Sequence, residues 1–354
     1  MRRAPRRQRN LQATLLSPVY VQRLQEALAN LTRWLACSNL VLGHDSRADL
    51  VNIWLVDYVQ YLHDGHGTLA EATHAILVVQ RQYRKLRGRL GPAWDSIRSW
   101  KVHSHTSMRV PFTLPLLRCC FVACLRKGLL ENIARRHLWI PLGVALLVGF
   151  DALLRPAELF NLKRADVVLP TDQLFGYDAK AVVIIRDPKT KSAMGRNQFG
   201  LVSDRVALGW LTWLCDGLPP ALKLFPSGAQ VGRTLLTSAL ADLDLGYTGL
   251  TLGSLRTGGA THKYIAGTPV DRLRFEGRWK SNATLEHYIQ EAASYNVLSA
   301  LDSGAATSMH AWTHTANVLL EPPSVHWSEL FSRSRQLLAI SAAACRQRHA
   351  PCRG

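Results

Sequence analysis

An arginine, a tryptophan and a tyrosine carry the most informative spacing in this 354-residue chain. They lie within Leu252 to Gln290, LGSLRTGGATHKYIAGTPVDRLRFEGRWKSNATLEHYIQ. Arg256 follows Ser254 and Leu255 on an apolar-led turn and opens a small-residue run into a helix. Gly277, Arg278 and Trp279 read as a turn, and Tyr288 follows on a short amphipathic segment. From Arg256 to Trp279 is 23 residues, and from Trp279 to Tyr288 is 9. Each side chain has a defined chemical use. A guanidinium is permanently charged, and its planar N–H fork matches the oxygens of a phosphate or carboxylate. A tyrosine hydroxyl is a nucleophile that can form a covalent intermediate, and an indole N–H can only donate. Either the arginine or the tyrosine alone would be ordinary in a helical domain; the ordered set is what makes a candidate site.

The composition narrows the substrate of such a site. Lys and Arg number 43 against 25 Asp and Glu, a formal charge of +18. Clustered Lys and Arg are the footprint expected of a protein that neutralises a nucleic-acid backbone; the alternative is a basic protein of ribosomal or membrane-surface type. Seven cysteines without paired CxxC spacing read as buried thiols, not as a disulfide framework or zinc site. The thirteen histidines show no zinc spacing, no acidic cluster suggests a two-metal nuclease, and no Walker-type glycine loop is present. The opening MRRAPRRQRN lacks a following apolar core, so no secretory signal is expected; the cluster reads as a nuclear address, a DNA-touching arm or a solvated tail. Leu138 to Leu154 is strongly apolar but carries Pro141, Gly143, Gly149 and Asp151. It falls short of the ~20 residues of a membrane span, and reads as a buried helix, with no membrane as partner.

The elements that must position these residues follow in chain order. Ser17 and Pro18 read as an N-cap and first helical residue, with Val21, Leu24, Leu28, Leu31 and Leu35 forming one apolar stripe. Further helices are expected over Ser46 to His63, from a capping box at Thr68 and Glu71 to near Gly88, and over Pro92 to Trp100. The polar faces of this bundle carry Arg81, Arg84, Lys85, Arg87 and Arg89, a phosphate-facing surface or a merely solvated face. Lys101 to Thr113 lacks periodicity and reads as a linker. Beyond it come a helix from Pro115 to Leu130, the buried helix, and the segment DALLRPAELFNLKRAD, Asp151 to Asp166. Extended pieces over Ala165 to Leu169, Ala181 to Arg186 and Asn197 to Val202 include a hairpin whose turn, DPKTKSAMGR, holds Lys189 and Lys191. Asp172 to Lys180 reads as a loop. Val206 to Leu214 is another helix, Leu224-Phe225-Pro226 follows, and Trp327 to Cys345 forms a last one.

Two boxes in this order resemble the tyrosine recombinases, the phage-integrase family. The first box is Arg155, Glu158, Leu159, Leu162 and Asp166; the second is Leu255-Arg256 with Ala260-Thr261, then Gly277-Arg278-Trp279 and Tyr288. The Arg-Thr-Gly-Gly-Ala-Thr form is most similar to recombinases of eukaryotic mobile elements. The resemblance implies a mainly α fold with a small antiparallel β-sheet (α+β). A basic arm (1–16) would precede a helical core-binding domain (17–105) and a catalytic domain (106–300), closing as a C-shaped clamp on double-stranded DNA, with a helical tail (301–354). It implies DNA cleavage and rejoining through a 3′-phosphotyrosine, with no cofactor or metal, by a homo-tetramer on two DNA sites, for integration or transposition. Arg155 and Arg256 would clamp the phosphate, Tyr288 would attack, and Trp279 would donate its indole N–H. Lys189 would be the general acid, with Lys191 the second choice and a DNA contact. A nuclear address would suit a eukaryotic host, the cytoplasm any other. One departure stands out: the family's histidine three residues before the second-box arginine is Gly253 here, and His262 or His287 could substitute. The alternatives are a DNA-binding protein that has lost catalysis, a type IB topoisomerase-like enzyme, and a basic helical scaffold with no DNA role.

Overall fold

The computed structural model describes residues 16–65, 67–104, 109–172, 179–186 and 198–302, together with positions 188, 304–307, 309, 312 and 322. The chain divides near residue 107 into two compact units.

The first unit is built from α1 (Pro18–Cys37), α2 (Ala48–Asp64), α3 (Leu69–Gln82) and α4 (Gly91–His103). The Ser17 hydroxyl accepts from the Tyr20 N–H, and Thr68 with Glu71 forms the expected capping box. The α1 stripe buries Leu24, Ala27, Leu31 and Leu35, and Leu31 and Leu35 meet Leu55, Ile76, Leu86 and Ile97 in one core. Each fully buried side chain of this size contributes roughly 1.5–3 kcal/mol. The basic segment departs from the expected helix face. α3 stops at Gln82, a 3₁₀ turn covers Arg84–Leu86, and Gly88 turns left-handed at φ +79°. Tyr83, Leu86 and Leu90 are buried and anchor the segment, so Arg81, Arg84, Lys85, Arg87 and Arg89 all stand exposed around a turn. Asn52 fixes this turn, donating from Nδ2 to the Arg89 carbonyl at 2.8 Å.

The second unit is organised around α6 (Arg136–Asp151), buried from Trp139 to Asp151. A helix apolar all round must be enclosed, and α6 packs against α5 (Leu114–Arg126), α8 (Arg205–Cys215) and α10 (Ser254–Ile265). Among the described residues no helix is long and apolar enough to cross a membrane. Between α6 and α8 lie the short α7 (Pro156–Leu159) and three strands, β1 (Val167–Val168), β2 (Ala181–Ile185) and β3 (Gln198–Val202). They form an antiparallel sheet in the order β1-β2-β3, with Val183 opposite both Val167 and Gly200. β1 is shorter than expected because Arg164–Asp166 forms a 3₁₀ turn, its Asp166 carboxylate accepting from the Lys163 N–H at 3.0 Å. After α8 come α9 (Gly228–Asp242), α10, α11 (Val270–Glu276), α12 (Asn282–Glu286) and α13 (Glu291–Ser299). The architecture is mainly α with a small antiparallel sheet, as expected. The basic arm, Lys189 and Lys191 between β2 and β3, and the helix expected over Trp327 to Cys345 lie outside the described residues.

Candidate active site

Arg155 opens α7 from an extended conformation (ψ 150°), and Pro156 occupies the first helical position, where its fixed φ suits the helix and its missing N–H costs nothing. The Glu158 carboxylate folds back to accept the Arg155 N–H at 3.0 Å and pairs with the Arg155 guanidinium at 2.6 Å. An isolated surface pair at this spacing would contribute only tenths of a kcal/mol. This pair is different, because Glu158 is buried and its other oxygen accepts from Arg278 at 3.1 Å.

Arg278 went unrecognised as a site residue in the sequence. It sits in the Gly277-Arg278-Trp279 turn with a left-handed backbone, φ +58°, and its side chain is 2% exposed. Its guanidinium donates to the carbonyls of Leu153 (2.8 Å), Phe199 (3.2 Å) and Glu276 (3.1 Å). Leu153 is also left-handed, at φ 52°. Such conformations cost a non-glycine residue roughly 1–2 kcal/mol, and they persist where the surroundings over-determine them. Here the Leu153 carbonyl is the common acceptor for Arg278 and Arg256, so the end of α6, the start of α10 and the Trp279 turn are pinned at one atom.

Arg256 stands on the first turn of α10, 2% exposed, donating to the carbonyls of Leu153 and Gly277. Its guanidinium carbon lies 4.5 Å from the centroid of the Trp279 ring and 5.4 Å from that of Tyr288. The two rings are themselves 5.0 Å apart. Gly277 is required by this arrangement: a Cβ there would fall 1.5 Å from Trp279 Cζ3. Leu153, Ala260, Leu273, Trp279 and Leu285 form a small apolar cluster that seats Tyr288 and Ile289. Thr261 holds the backbone at Tyr288, its hydroxyl 3.1 Å from the Tyr288 carbonyl and accepting from the Gln290 N–H at 3.0 Å.

Three of the expected site residues, Arg256, Trp279 and Tyr288, therefore come into direct contact. Arg155 joins them through Glu158 and Arg278. The electrostatics of the cluster are unbalanced, because three guanidiniums face one carboxylate and leave two positive charges in excess. Burial, and then the charges of Arg278 and Arg155, push Arg256 well below the usual guanidinium range. Burial likewise lowers Arg278, with Arg155 adding to it and Glu158 opposing. Glu158 would be raised by burial alone, yet Arg278 and the N–H and guanidinium of Arg155 hold it below its ordinary value. Arg256 Nε, Arg278 Nε and Trp279 Nε1 are buried donors without an acceptor among the described residues. Buried polar groups are nearly always satisfied, so unpaired donors in a cluster of excess positive charge fit an anion. A cavity of about 550 Å³ near Asp151, His262 and Lys263 is lined by none of these residues.

No protein-family model and no curated protein sequence matches this chain. Solved structures are similar to it in fold. The Tn1549 transposon integrase in complex with transposon right end DNA gives a TM-score of 0.52 at 12% identity, covering 78% of this chain and 96% of that one. A lambda integrase dimer bound to a COC′ core site gives 0.49 at 12% identity, over 80% and 74% of the two chains. XerH site-specific recombinase bound to a palindromic difH substrate gives 0.48 at 12%, over 76% and 74%.

Proposed function

We propose that the chain is a tyrosine recombinase, cutting and rejoining DNA with Tyr288 as nucleophile. The observation that carries this reading is the contact set of Arg256, Trp279 and Tyr288, in which a buried guanidinium and an indole, each with an N–H that has no acceptor among the described residues, lie against a tyrosine ring. The likeness in fold to an integrase solved on DNA supports it. In the reaction the Tyr288 oxygen attacks the scissile phosphorus and gives up its proton. The bond from phosphorus to the 5′-oxygen breaks, leaving a 3′-phosphotyrosine and a 5′-hydroxyl. A second 5′-hydroxyl reverses the step on another strand, so the energy of the phosphodiester is kept. Charge grows on the non-bridging oxygens in the transition state. Fixed donors aimed there stabilise it far more in a dry site than in water, which is the role assigned to Arg155, Arg256 and the Trp279 indole. Lys189, or failing it Lys191, would protonate the departing oxygen. We further propose a clamp of the two units on duplex DNA with Arg81, Arg84, Lys85, Arg87 and Arg89 on phosphates, assembly of four copies on two sites, and service to a mobile element.

A second reading, a DNA-binding protein that no longer cuts, has Gly253 in its favour, since glycine supplies no donor at that position. Covalent capture separates the two. The native protein and Tyr288→Phe are incubated with a pool of nicked duplexes, denatured in detergent, and the attached DNA is recovered. DNA held by the native protein alone establishes the nucleophile, and sequencing it gives the target. Binding by both before denaturation, with capture by neither, would discard the cleavage reading.

A further inference from the structure

We infer that Arg109 is a phosphate-binding residue of this site, and that Gly253 is a glycine in order to admit it. The inference rests on the proposed role of Arg256 and Tyr288. Residues 109–113 run without regular structure alongside the first turn of α10, with the Phe112 N–H donating to the Ser254 carbonyl at 3.3 Å. Phe112 is buried, and a Cβ on Gly258 would lie 2.1 Å from its carbonyl oxygen, so the segment rests directly on the helix backbone. This anchoring sets the Arg109 guanidinium over Gly253. A Cβ on Gly253 would fall 2.8 Å from Arg109 Nη1 and 3.2 Å from Cζ, so the volume of a side chain at 253 is already occupied by a guanidinium.

The electrostatics of that place call for an anion. Gly253 is the N-cap of the twelve-residue α10 and caps it with no side chain. The aligned peptide dipoles make that end of the helix positive. One turn on, Arg256 is 2% exposed and its Nε has no acceptor among the described residues. Arg109 is exposed and forms no ion pair among the described residues. A cation at a positive helix end is disfavoured until a negative group arrives. A phosphodiester oxygen would supply that group. The donor that position 253 lacks in its own side chain thus reaches it from 144 residues away in the sequence.

Arg109→Ala, Arg109→Lys, Gly253→His and the double variant Arg109→Ala/Gly253→His test this. Two quantities are read: binding of a random-sequence duplex by fluorescence anisotropy from about 50 to 200 mM salt, and the rate of covalent capture on the nicked pool. Arg109→Ala should lower the salt slope by about 1 and slow capture about 100-fold, the loss seen for a single oxyanion donor. Arg109→Lys should restore the slope but only part of the rate, because the fork is lost. Gly253→His should slow capture in the native background, where the imidazole displaces the guanidinium, and cost nothing further in the Arg109→Ala background. A native slope and rate for Arg109→Ala, or a faster Gly253→His in the native background, would overturn the inference. If the native protein captures no DNA, the slope still decides. A reduced slope for Arg109→Ala keeps the phosphate contact and leaves only the cleavage reading to fall, whereas an unchanged slope removes Arg109.

Discussion

Glu158→Gln probes the charge logic of the site without touching Tyr288. The native carboxylate accepts from the Arg155 N–H at 3.0 Å and pairs with Arg155 at 2.6 Å and Arg278 at 3.1 Å. Removing one partner of a buried ion pair costs about 3–5 kcal/mol, because the other charge is left uncompensated. The lower end applies here. Arg155 is 22% exposed and can turn to water, whereas Arg278, at 2%, cannot. Glutamine also keeps the shape and one acceptor. The expected loss is therefore about 3 kcal/mol, or a fall in Tm of about 6–12 °C for a unit of this size. Circular dichroism at 222 nm over a thermal ramp reads it.

The same experiment has a pH arm whose sign is fixed in advance. Folding lowers Glu158 below the 4.5 of a free glutamate. Its contribution is then fully present above that value and is lost as the pH falls through the lower, folded-state value. The gap in Tm between native protein and Glu158→Gln should hold constant at neutral pH and begin to close below about pH 4.5. An anion arm follows from the excess positive charge, since sulfate should raise the Tm of Glu158→Gln more than that of the native protein. A Tm within about 2 °C of native, less than 1 kcal/mol, would refute the claim that this carboxylate holds Arg155 and Arg278 together.

Two further changes test positioning and grip. Thr261→Val keeps the volume but strands the Gln290 N–H, at a cost of about 1–3 kcal/mol. It should slow covalent capture about 100-fold through misplacement of Tyr288 with duplex affinity unchanged, and an equal loss in both would deny Thr261 its positioning role. Replacing Arg84, Lys85 and Arg87 together with glutamine should reduce the salt slope of duplex binding by about 2–3 and leave Tm as it was, these side chains being exposed. A native slope would take the segment off the DNA-facing surface.

What the sequence disclosed and what it hid divide along physical lines. Ser17, Thr68 with Glu71, and Pro156 act on neighbours within three residues, so their caps were legible and stand in the structure. Arg256, Trp279 and Tyr288 were legible as an order, and the fold brings their side chains together. α9 escaped notice because Gly228, Ala229 and Gly232 blur its apolar stripe. The reason for Gly232 lies in another element, since a Cβ there would meet the Phe160 ring at 2.6 Å. Arg278 was hidden by the general rule that arginine stays exposed unless paired. Its partner Glu158 and its carbonyl acceptors at Leu153 and Phe199 come from 79 or more residues away. The basic residues of 81–89 read as part of a helix running to near Gly88 because periodicity does not register the stop at Gln82 and the 3₁₀ turn that follows it.

Gly253 is the sharpest case. In the sequence it is a missing side chain, and the natural repair is to put histidine back. In the fold the space is filled by Arg109, so the repair would expel a cation from the place where an anion is wanted. A residue absent from a motif is lost chemistry only if nothing else enters the volume it vacates. The Gly253→His comparison in two backgrounds turns that distinction into a sign: slower capture where Arg109 is present, and no further loss where it is not.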